Sequence, residues 1–97
     1  MEYVKQYSSF IKRIVTAPEH ITVRLLQTSN IKIITAISEI VYNIIHKNIK
    51  VPAPTLVKLK KFKKIFYKLI SAKDTSARKQ ILIDNPKSLS PLSVLFK

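Results

Sequence analysis

The sequence contains no glycine and no cysteine. Without glycine the chain lacks a phosphate-binding P-loop, a dinucleotide fingerprint and a nucleophile elbow, because each motif needs glycine where the backbone turns tightly. Without cysteine it forms no disulfide bond, thiolate metal site or thiol redox centre. Left-handed helix ends must then be filled by other residues, and we expect Asn48 and Asn85 to lie at such ends.

Acidic residues and histidines are also scarce, with five acids and two histidines in the chain. The acids are scattered, so that only the fold could assemble a pair for acid/base chemistry. His20 and His46 lack a carboxylate at the spacing of a metal site, and His46 is better placed to interact with the C-terminal end of a helix dipole. We therefore predict that the protein is not an enzyme and uses no metal or cofactor.

No long uninterrupted hydrophobic run is present. The longest apolar-rich stretch, from Ile31 to Ile45, is broken by Lys32, Glu39 and further polar residues, whereas a membrane-spanning helix needs about 18 to 20 apolar residues. The segment after Met1 has no continuous apolar run ending in small residues, as a secretory signal would have. We therefore expect a soluble, intracellular protein.

Positive charge is what the chain has in excess. Eighteen lysines and arginines stand against five acids, which gives a formal net charge of +13 over 97 residues. This charge would oppose compaction unless a polyanion or counterions offset it. The imbalance points to nucleic acid as the partner, with an anionic membrane or an acidic protein as alternatives. The length allows one small domain, and we treat residues 1–97 as a single domain.

Apolar residues recur at steps of three and four, the spacing of amphipathic helices. The predicted fold is all-α, a compact single-domain bundle of about five or six short helices. The strongest pattern predicts a central helix from Ile31 to about Lys47. The other predicted helices cover about residues 3–15, 18–27, 54–73 and 74–83.

Polar residues before the apolar patterns predict where helices begin. Thr16 to Glu19 resembles a capping box for the second helix, Ser29 is placed to cap the third, and Asp74 the fifth. Ser90 followed by Pro91 predicts one more short element. The apolar residues of that last element are Leu92, Leu95 and Phe96.

Glu39 is an acid within the apolar central helix, off its main isoleucine stripe. It is either a solvated residue of the outer face or part of a buried ion pair with Arg24 or a lysine of the fourth helix, because burying an unpaired carboxylate is expensive. Since Glu39 lies off the main stripe, we favour a boundary position with a cationic partner.

The segment from Pro54 to Lys73 holds seven lysines and no acid. At about 100° per residue, its apolar residues fall on one side of a helix and a row of lysines falls on the other. A solvated helix face usually mixes signs, because Glu to Lys pairs one turn apart stabilise a helix. The acid-free row therefore favours binding of a polyanion over simple solvation.

We predict a non-enzymatic protein that binds or condenses nucleic acid, DNA before RNA, through phosphate contacts and without regard to sequence. The chain has three arginines, and arginine rather than lysine makes bidentate contacts to bases. Lys47 and Lys50 extend the surface if the loops bring them alongside. Tyr67 is expected to be exposed, and Phe62 and Phe66 to lie in the core. The predicted phosphate-binding residues are Lys58, Lys60, Lys61, Lys64, Lys68, Arg78 and Lys79, the last two on the outside of the fifth helix.

The alternative function is a helical protein-interaction or self-assembling module, which binds an acidic partner or forms a homo-oligomer. Its basis is a surplus of apolar residues at the two ends of the chain, which are hard to place in one small core. These residues are Tyr3, Tyr7, Leu92, Leu95 and Phe96. Attachment to an anionic membrane ranks last, because it would need the apolar side of the fourth helix that the core requires.

Three segments of the chain carry a likeness to a known family. They are Arg24-Leu25-Leu26, Ile34-x-Ala36-Ile37-x-Glu39-Ile40-x-x-Asn43-Ile44-Ile45-x-x-Asn48-Ile49 and Leu59-Lys60-Lys61-Phe62-Lys63-Lys64. Together they resemble short basic proteins of adintoviruses and related Maverick or Polinton-type DNA elements of animals, over about residues 20–83. The chain departs from that family at Asn48, where the family tends to have glycine, and near Asn30, where it tends to have proline. The resemblance implies a small viral or element-encoded protein that accompanies the packaged genome or the virion, in the host nucleus or the virion.

Overall fold

The computed structural model describes residues 2–96, which form seven α-helices and one 3₁₀ helix. They are α1 (Glu2–Gln6), α2 (Ser8–Thr16), α3 (Glu19–Thr28), α4 (Ile31–Ile45), α5 (Ala53–Lys60), α6 (Lys63–Ser71), α7 (Thr75–Asp84) and the 3₁₀ helix Pro86–Phe96. The all-α prediction is confirmed for these residues. The number of helices exceeds the five or six predicted, because two of the predicted helices are each divided into two.

Helix α4 lies at the centre of the bundle, as its isoleucine spacing predicts. Ile34 and Ile37 have no exposed surface, and a single hydrophobic core runs from α2 to the 3₁₀ helix. Helices α1, α6 and α7 pack against α4, whereas α2 packs against α3 and the 3₁₀ helix. The radius of gyration of the Cα atoms is 12.0 Å, close to the ~13 Å expected for a compact chain of this length.

The two divided helices bend at aromatic residues. Tyr7 lies between α1 and α2 with φ −110° and ψ 18°, and Phe62 lies between α5 and α6 with φ −108° and ψ 13°. Backbone hydrogen bonds reach both residues from the preceding helix, from Tyr7 N–H to the carbonyl of Tyr3 at 2.9 Å and from Phe62 N–H to that of Leu59 at 3.0 Å. Each residue lies in a turn, so the helical hydrogen-bond ladder is interrupted there and the chain can bend.

Each bend lets the two halves of a helix pack against different neighbours. Helix α1 packs on α4, whereas α2 packs on α3 and the 3₁₀ helix. Helix α5 packs on the 3₁₀ helix, whereas α6 packs on α4 and α7. A straight helix could not reach both sets of neighbours, so the bends follow from tertiary packing.

The caps around α3 differ from the prediction. No capping box forms, since the Oγ1 of Thr16 donates back to the carbonyl of Lys12 at 2.6 Å and α3 has no side-chain cap. Ser29 ends α3, with its Oγ donating to the carbonyl of Leu25 at 2.6 Å. Asn30 caps α4 in its place, because its Oδ1 accepts from the third residue of that helix at 3.0 Å.

The C-terminal end of α4 has the left-handed residue one position earlier than expected. Lys47 has φ 58° and is the only residue with positive φ in the described part of the chain. Its N–H donates to the carbonyl of Ile44 at 3.1 Å, and that of Asn48 donates to Asn43 at 2.8 Å, which is the Schellman arrangement. The expectation that Asn48 or Asn85 would be left-handed is therefore wrong; Asn85 has φ −135°.

The last two elements follow the prediction in part. Helix α7 begins at the predicted cap, where Asp74 Oδ1 accepts from the N–H of Ala77 at 2.8 Å. The final element is a 3₁₀ helix that starts at Pro86, and its buried apolar residues are Leu89 and Leu92. Leu89 was not predicted to be in the core, although its separation of three from Leu92 is the period of a 3₁₀ helix.

The apolar residues near the two ends of the chain, which were expected to be hard to place in one small core, do pack in or against it. Leu92 is buried, and the other four pack against the edge of the core. The large apolar side chains that remain exposed are Ile31, Tyr42, Leu56, Val57 and Tyr67. Within the described residues, no helix is both long enough and apolar enough to cross a membrane.

Candidate nucleic-acid interface

Helices α5 and α6 carry the lysine-rich segment and are anchored by one apolar side. Leu59, Phe66 and Leu69 are buried, and Phe62 is half-buried against the core. The core positions predicted for Phe62 and Phe66 are therefore confirmed. Because this side is enclosed by the bundle, the lysines between these anchors lie on the sides that face solvent.

All five lysines predicted for this segment are exposed. We call them the lysine surface: Lys58, Lys60, Lys61, Lys64 and Lys68. None of them forms an ion pair, since the only ion pair among the described side chains joins Lys87 Nζ to Glu19 Oε2 at 3.9 Å. Like charges one turn apart destabilise a helix by a few tenths of a kcal/mol, and a bound anion would relieve that repulsion.

Arg78 and Lys79, the remaining predicted site residues, are not on the outside of α7 as expected. Both are half-buried. Lys79 Nζ donates to the carbonyl of Ser29 at 3.0 Å, so its ammonium group holds α7 to the end of α3. Arg78 faces a shallow cavity between α4, α6 and α7. The structure therefore does not add these two cations to the lysine surface.

Glu39 lines the same cavity as Arg78 and is half-buried. The boundary position is confirmed. The expected ion pair is wrong, because no cation among the described side chains, Arg24 and the lysines of α5 and α6 included, pairs with Glu39. The Nε of Arg78 is buried there without a hydrogen-bond partner.

Neither His20 nor His46 belongs to a cluster of three or more possible metal ligands within the described residues. No three His, Asp or Glu side chains in the described part of the chain come close enough together to hold a metal ion. His46 is the C-cap residue of α4, at the helix end where it was expected. Its ring packs against that of Tyr42, with 4.2 Å between the ring centroids.

A groove lies where the C-terminal end of α4 meets α5 and α6, with a volume of about 450 Å³. We call it the tyrosine groove. Its residues are Ile44, Ile45, Lys47, Leu56, Leu59, Lys60, Lys63, Phe66 and Tyr67. The floor contains buried apolar side chains, while the three lysines and Tyr67 are exposed. Lys60 belongs both to this groove and to the lysine surface, so the two features adjoin.

Tyr67 is the aromatic ring of this groove that solvent reaches. It is 45% exposed, as the sequence predicts. The ammonium of Lys63 lies 5.8 Å from its ring centroid, within the range of a cation–π contact. Lys64 precedes Tyr67 by three residues, a spacing that makes the two side chains neighbours on the surface of α6.

Two cations of the groove are new relative to the predicted binding residues. The loop after α4 brings Lys47 into the same groove as Lys60. The sequence predicted a role for Lys47 only if the loop placed it beside the lysine-rich helix. Lys63 was not predicted, because it lies beside the apolar side of the helix. Its spacing of four residues from the exposed Tyr67 is the signal that could have identified it.

Comparison of the chain with protein-family models, with curated proteins and with solved structures finds no match in any of the three. The resemblance to proteins of adintoviruses and Maverick-type elements therefore stays a prediction.

Proposed function

We propose that this protein is a non-enzymatic, sequence-independent nucleic-acid-binding protein that contacts phosphates through the lysine surface on α5 and α6. The observation that carries the proposal is the exposure of all five lysines without an ion pair. A surface lysine beside an acid would have to give up that partner to bind phosphate. These lysines have no such partner to exchange, so each contact with phosphate releases condensed counterions at little cost.

Two further observations support a phosphate-binding role over plain solvation. Leu59 anchors α5 in the core and Phe66 and Leu69 anchor α6, so the lysines are displayed on helices that are packed against the bundle. The cations of the surface are lysines, which act as point charges and favour backbone phosphate over the edges of bases. Binding should therefore be tight at low salt and indifferent to sequence.

The strength of this interaction can be tested through its salt dependence. If the five lysines each contact one phosphate of duplex DNA, log affinity should fall against log salt with a slope of about −4 to −5. Changing Lys60, Lys61, Lys64 and Lys68 together to glutamine should leave a slope of about −1. The measurement is fluorescence anisotropy of a labelled duplex of random sequence, titrated at several salt concentrations.

A matched control separates this surface from the effect of net charge. Lys5, Lys12, Arg24 and Lys32 are also exposed but lie on α1, α2, α3 and α4. Changing these four to glutamine removes the same number of charges from the formal +13 and should keep most of the binding. Equal loss in both variants, or no loss in the first, would show that the lysine surface is not the binding site.

The resemblance gives this proposal a biological setting. A small basic protein of a virus or a DNA element would meet its own genome during packaging, in the host nucleus or the virion. In that setting, binding without sequence preference would serve to neutralise and condense the genome.

A further inference from the structure

We propose that the tyrosine groove is a stacking site for an unpaired base, so that the protein prefers single-stranded nucleic acid over duplex. The inference rests on the proposed function, because it assigns the form of nucleic acid that the same surface binds. It depends on one juxtaposition, that of the exposed Tyr67 ring with the ammonium groups of Lys47, Lys60 and Lys63 in a single groove.

The groove combines an apolar floor with an exposed aromatic ring. Buried side chains such as Phe66 and Leu59 form an apolar floor, and Tyr67 is nearly half exposed above it. A nucleobase is flat and has apolar faces, so it can stack on an aromatic ring whatever its sequence. The volume of about 450 Å³ leaves room for a base beside the ring.

The groove is also complementary in charge to a nucleic-acid strand. No acidic side chain lines the groove, while three lysines do. Lys63 already lies 5.8 Å from the Tyr67 ring centroid, so a phosphate bound to its ammonium would bring the attached base close to that ring. Lys60 belongs to both the groove and the lysine surface, so the cations continue from one to the other. A strand lying on α6 would thus have phosphate contacts on both sides of the tyrosine.

Paired bases inside a duplex cannot use this site. Except at the two ends of a duplex, both faces of each base are covered by neighbouring pairs. Along the strand, therefore, only an unpaired base can place its face on Tyr67. The groove should therefore add a contribution for single strands that duplex DNA cannot obtain, whereas the lysine surface serves both.

The experiment compares a labelled oligothymidylate of about 12 nucleotides with a duplex of equal length at one salt concentration. Tyr67→Leu removes the ring and keeps an apolar side chain. We expect it to weaken binding of the single strand by about 5- to 100-fold, the usual effect of losing one stacked base. Affinity for the duplex should stay within about twofold, because its phosphate contacts are unchanged.

Two control variants separate the ring from general effects on the fold. Tyr67→Phe keeps the ring and should bind both ligands as the unmodified protein does. Tyr42→Leu removes a tyrosine of similar exposure, 49% against 45%, which lines the Arg78 cavity and not the groove. It should change neither affinity. Circular dichroism confirms that all three variants remain helical.

A ligand without bases gives a second readout that a merely structural role of Tyr67 would not affect. An abasic deoxyribose-phosphate oligomer has the charge of the oligothymidylate and nothing to stack. The unmodified protein should bind it about 5- to 100-fold more weakly than oligothymidylate, and Tyr67→Leu should bind the two alike.

The outcomes distinguish this inference from the proposed function. If the unmodified protein binds duplex, and Tyr67→Leu leaves single-strand affinity unchanged or weakens both ligands equally, the stacking site is refuted while phosphate binding stands. If the unmodified protein binds neither ligand at low salt, the proposed function fails and the stacking site fails with it.

Discussion

Replacing Lys47 by glycine should stabilise the protein. Lys47 is an exposed residue of the Schellman motif, so the substitution changes the backbone preference and no contact of the core. Lys47 has φ 58°. An L-residue in this conformation brings its Cβ close to the following carbonyl, at a cost of about 1–2 kcal/mol. Glycine has no Cβ and avoids that cost, but it loses about 0.5–1 kcal/mol more conformational entropy on folding. The free energy of unfolding should therefore rise by about 0.5–1 kcal/mol.

The neighbouring position supplies the matched control, because the sequence alone favours Asn48 as the left-handed residue. Asn48 has no positive φ, and its Nδ2 donates to Asn43 Oδ1 at 3.0 Å. Asn48→Gly gains nothing from relief of strain, loses this exposed hydrogen bond and adds flexibility to the unfolded chain. It should lower the free energy of unfolding by about 1 kcal/mol.

The assay is urea denaturation of the two variants beside the unmodified protein, followed by circular dichroism, with thermal melting as a second measure. In a domain of this size, 1 kcal/mol corresponds to a shift in Tm of about 4–8 °C, so the opposite signs are easily resolved. Stabilisation by Asn48→Gly together with destabilisation by Lys47→Gly would refute the assignment of the left-handed residue.

Two further substitutions test individual hydrogen bonds that hold helix ends. Asp74→Ala removes the acceptor for the N–H of Ala77 and should lower the free energy of unfolding by about 1 kcal/mol, whereas Asp74→Asn should keep most of the stability of the unmodified protein. Urea denaturation distinguishes the two variants, and equal stability would contradict the helix cap. Thr22→Val removes the hydroxyl that donates to the carbonyl of Ile14 at 2.8 Å. In a continuing helix this carbonyl would accept from residue 18, but Pro18 has no N–H. We expect the free energy of unfolding to fall by about 1–3 kcal/mol in Thr22→Val and to change little in Thr22→Ser, measured in the same assay. A Thr22→Val variant as stable as the unmodified protein would show that this hydrogen bond contributes little.

The helices that the sequence predicts well are those whose apolar spacing agrees along the whole helix with the elements packed around it. Helix α4 has isoleucines on every turn and is surrounded by packing partners, so its periodicity and its burial agree. Helix α7 was located equally well, because Asp74 is a strong cap before a pattern of apolar residues. In both cases a local signal is sufficient.

The bends at Tyr7 and Phe62 could not be predicted in this way. The apolar spacing runs through both residues without interruption, although the helical hydrogen bonds stop at each of them and begin again from it. What divides each helix is the position of other elements, the 3₁₀ helix above all, which packs on α2 and on α5. The distribution of neighbours is a property of the whole fold.

The candidate site shows the same division between local and tertiary information. The exposure of the five lysines of α5 and α6 follows from the helical spacing and was predicted. The half-buried positions of Arg78 and Lys79 depend on how α7 packs against α3, α4 and α6. The meeting of Lys47 with Lys60 in one groove depends on the course of the loop after α4, for which the sequence gives only the prolines Pro52 and Pro54 at the start of the next helix.

Locally unfavourable features of the chain accumulate around the tyrosine groove. Lys47 is the residue with positive φ, Leu56 and Tyr67 are apolar or aromatic and exposed, and the adjoining lysines have no ion pair. Deviations from locally favourable chemistry that collect in one place are expected at functional sites, where binding rather than folding fixes the residue. A glycine at position 47 would suit the backbone better, but it would remove a cation from the groove. If Lys47→Gly both stabilises the fold and weakens binding of single strands, the strain at this residue is explained by the ligand that its side chain holds.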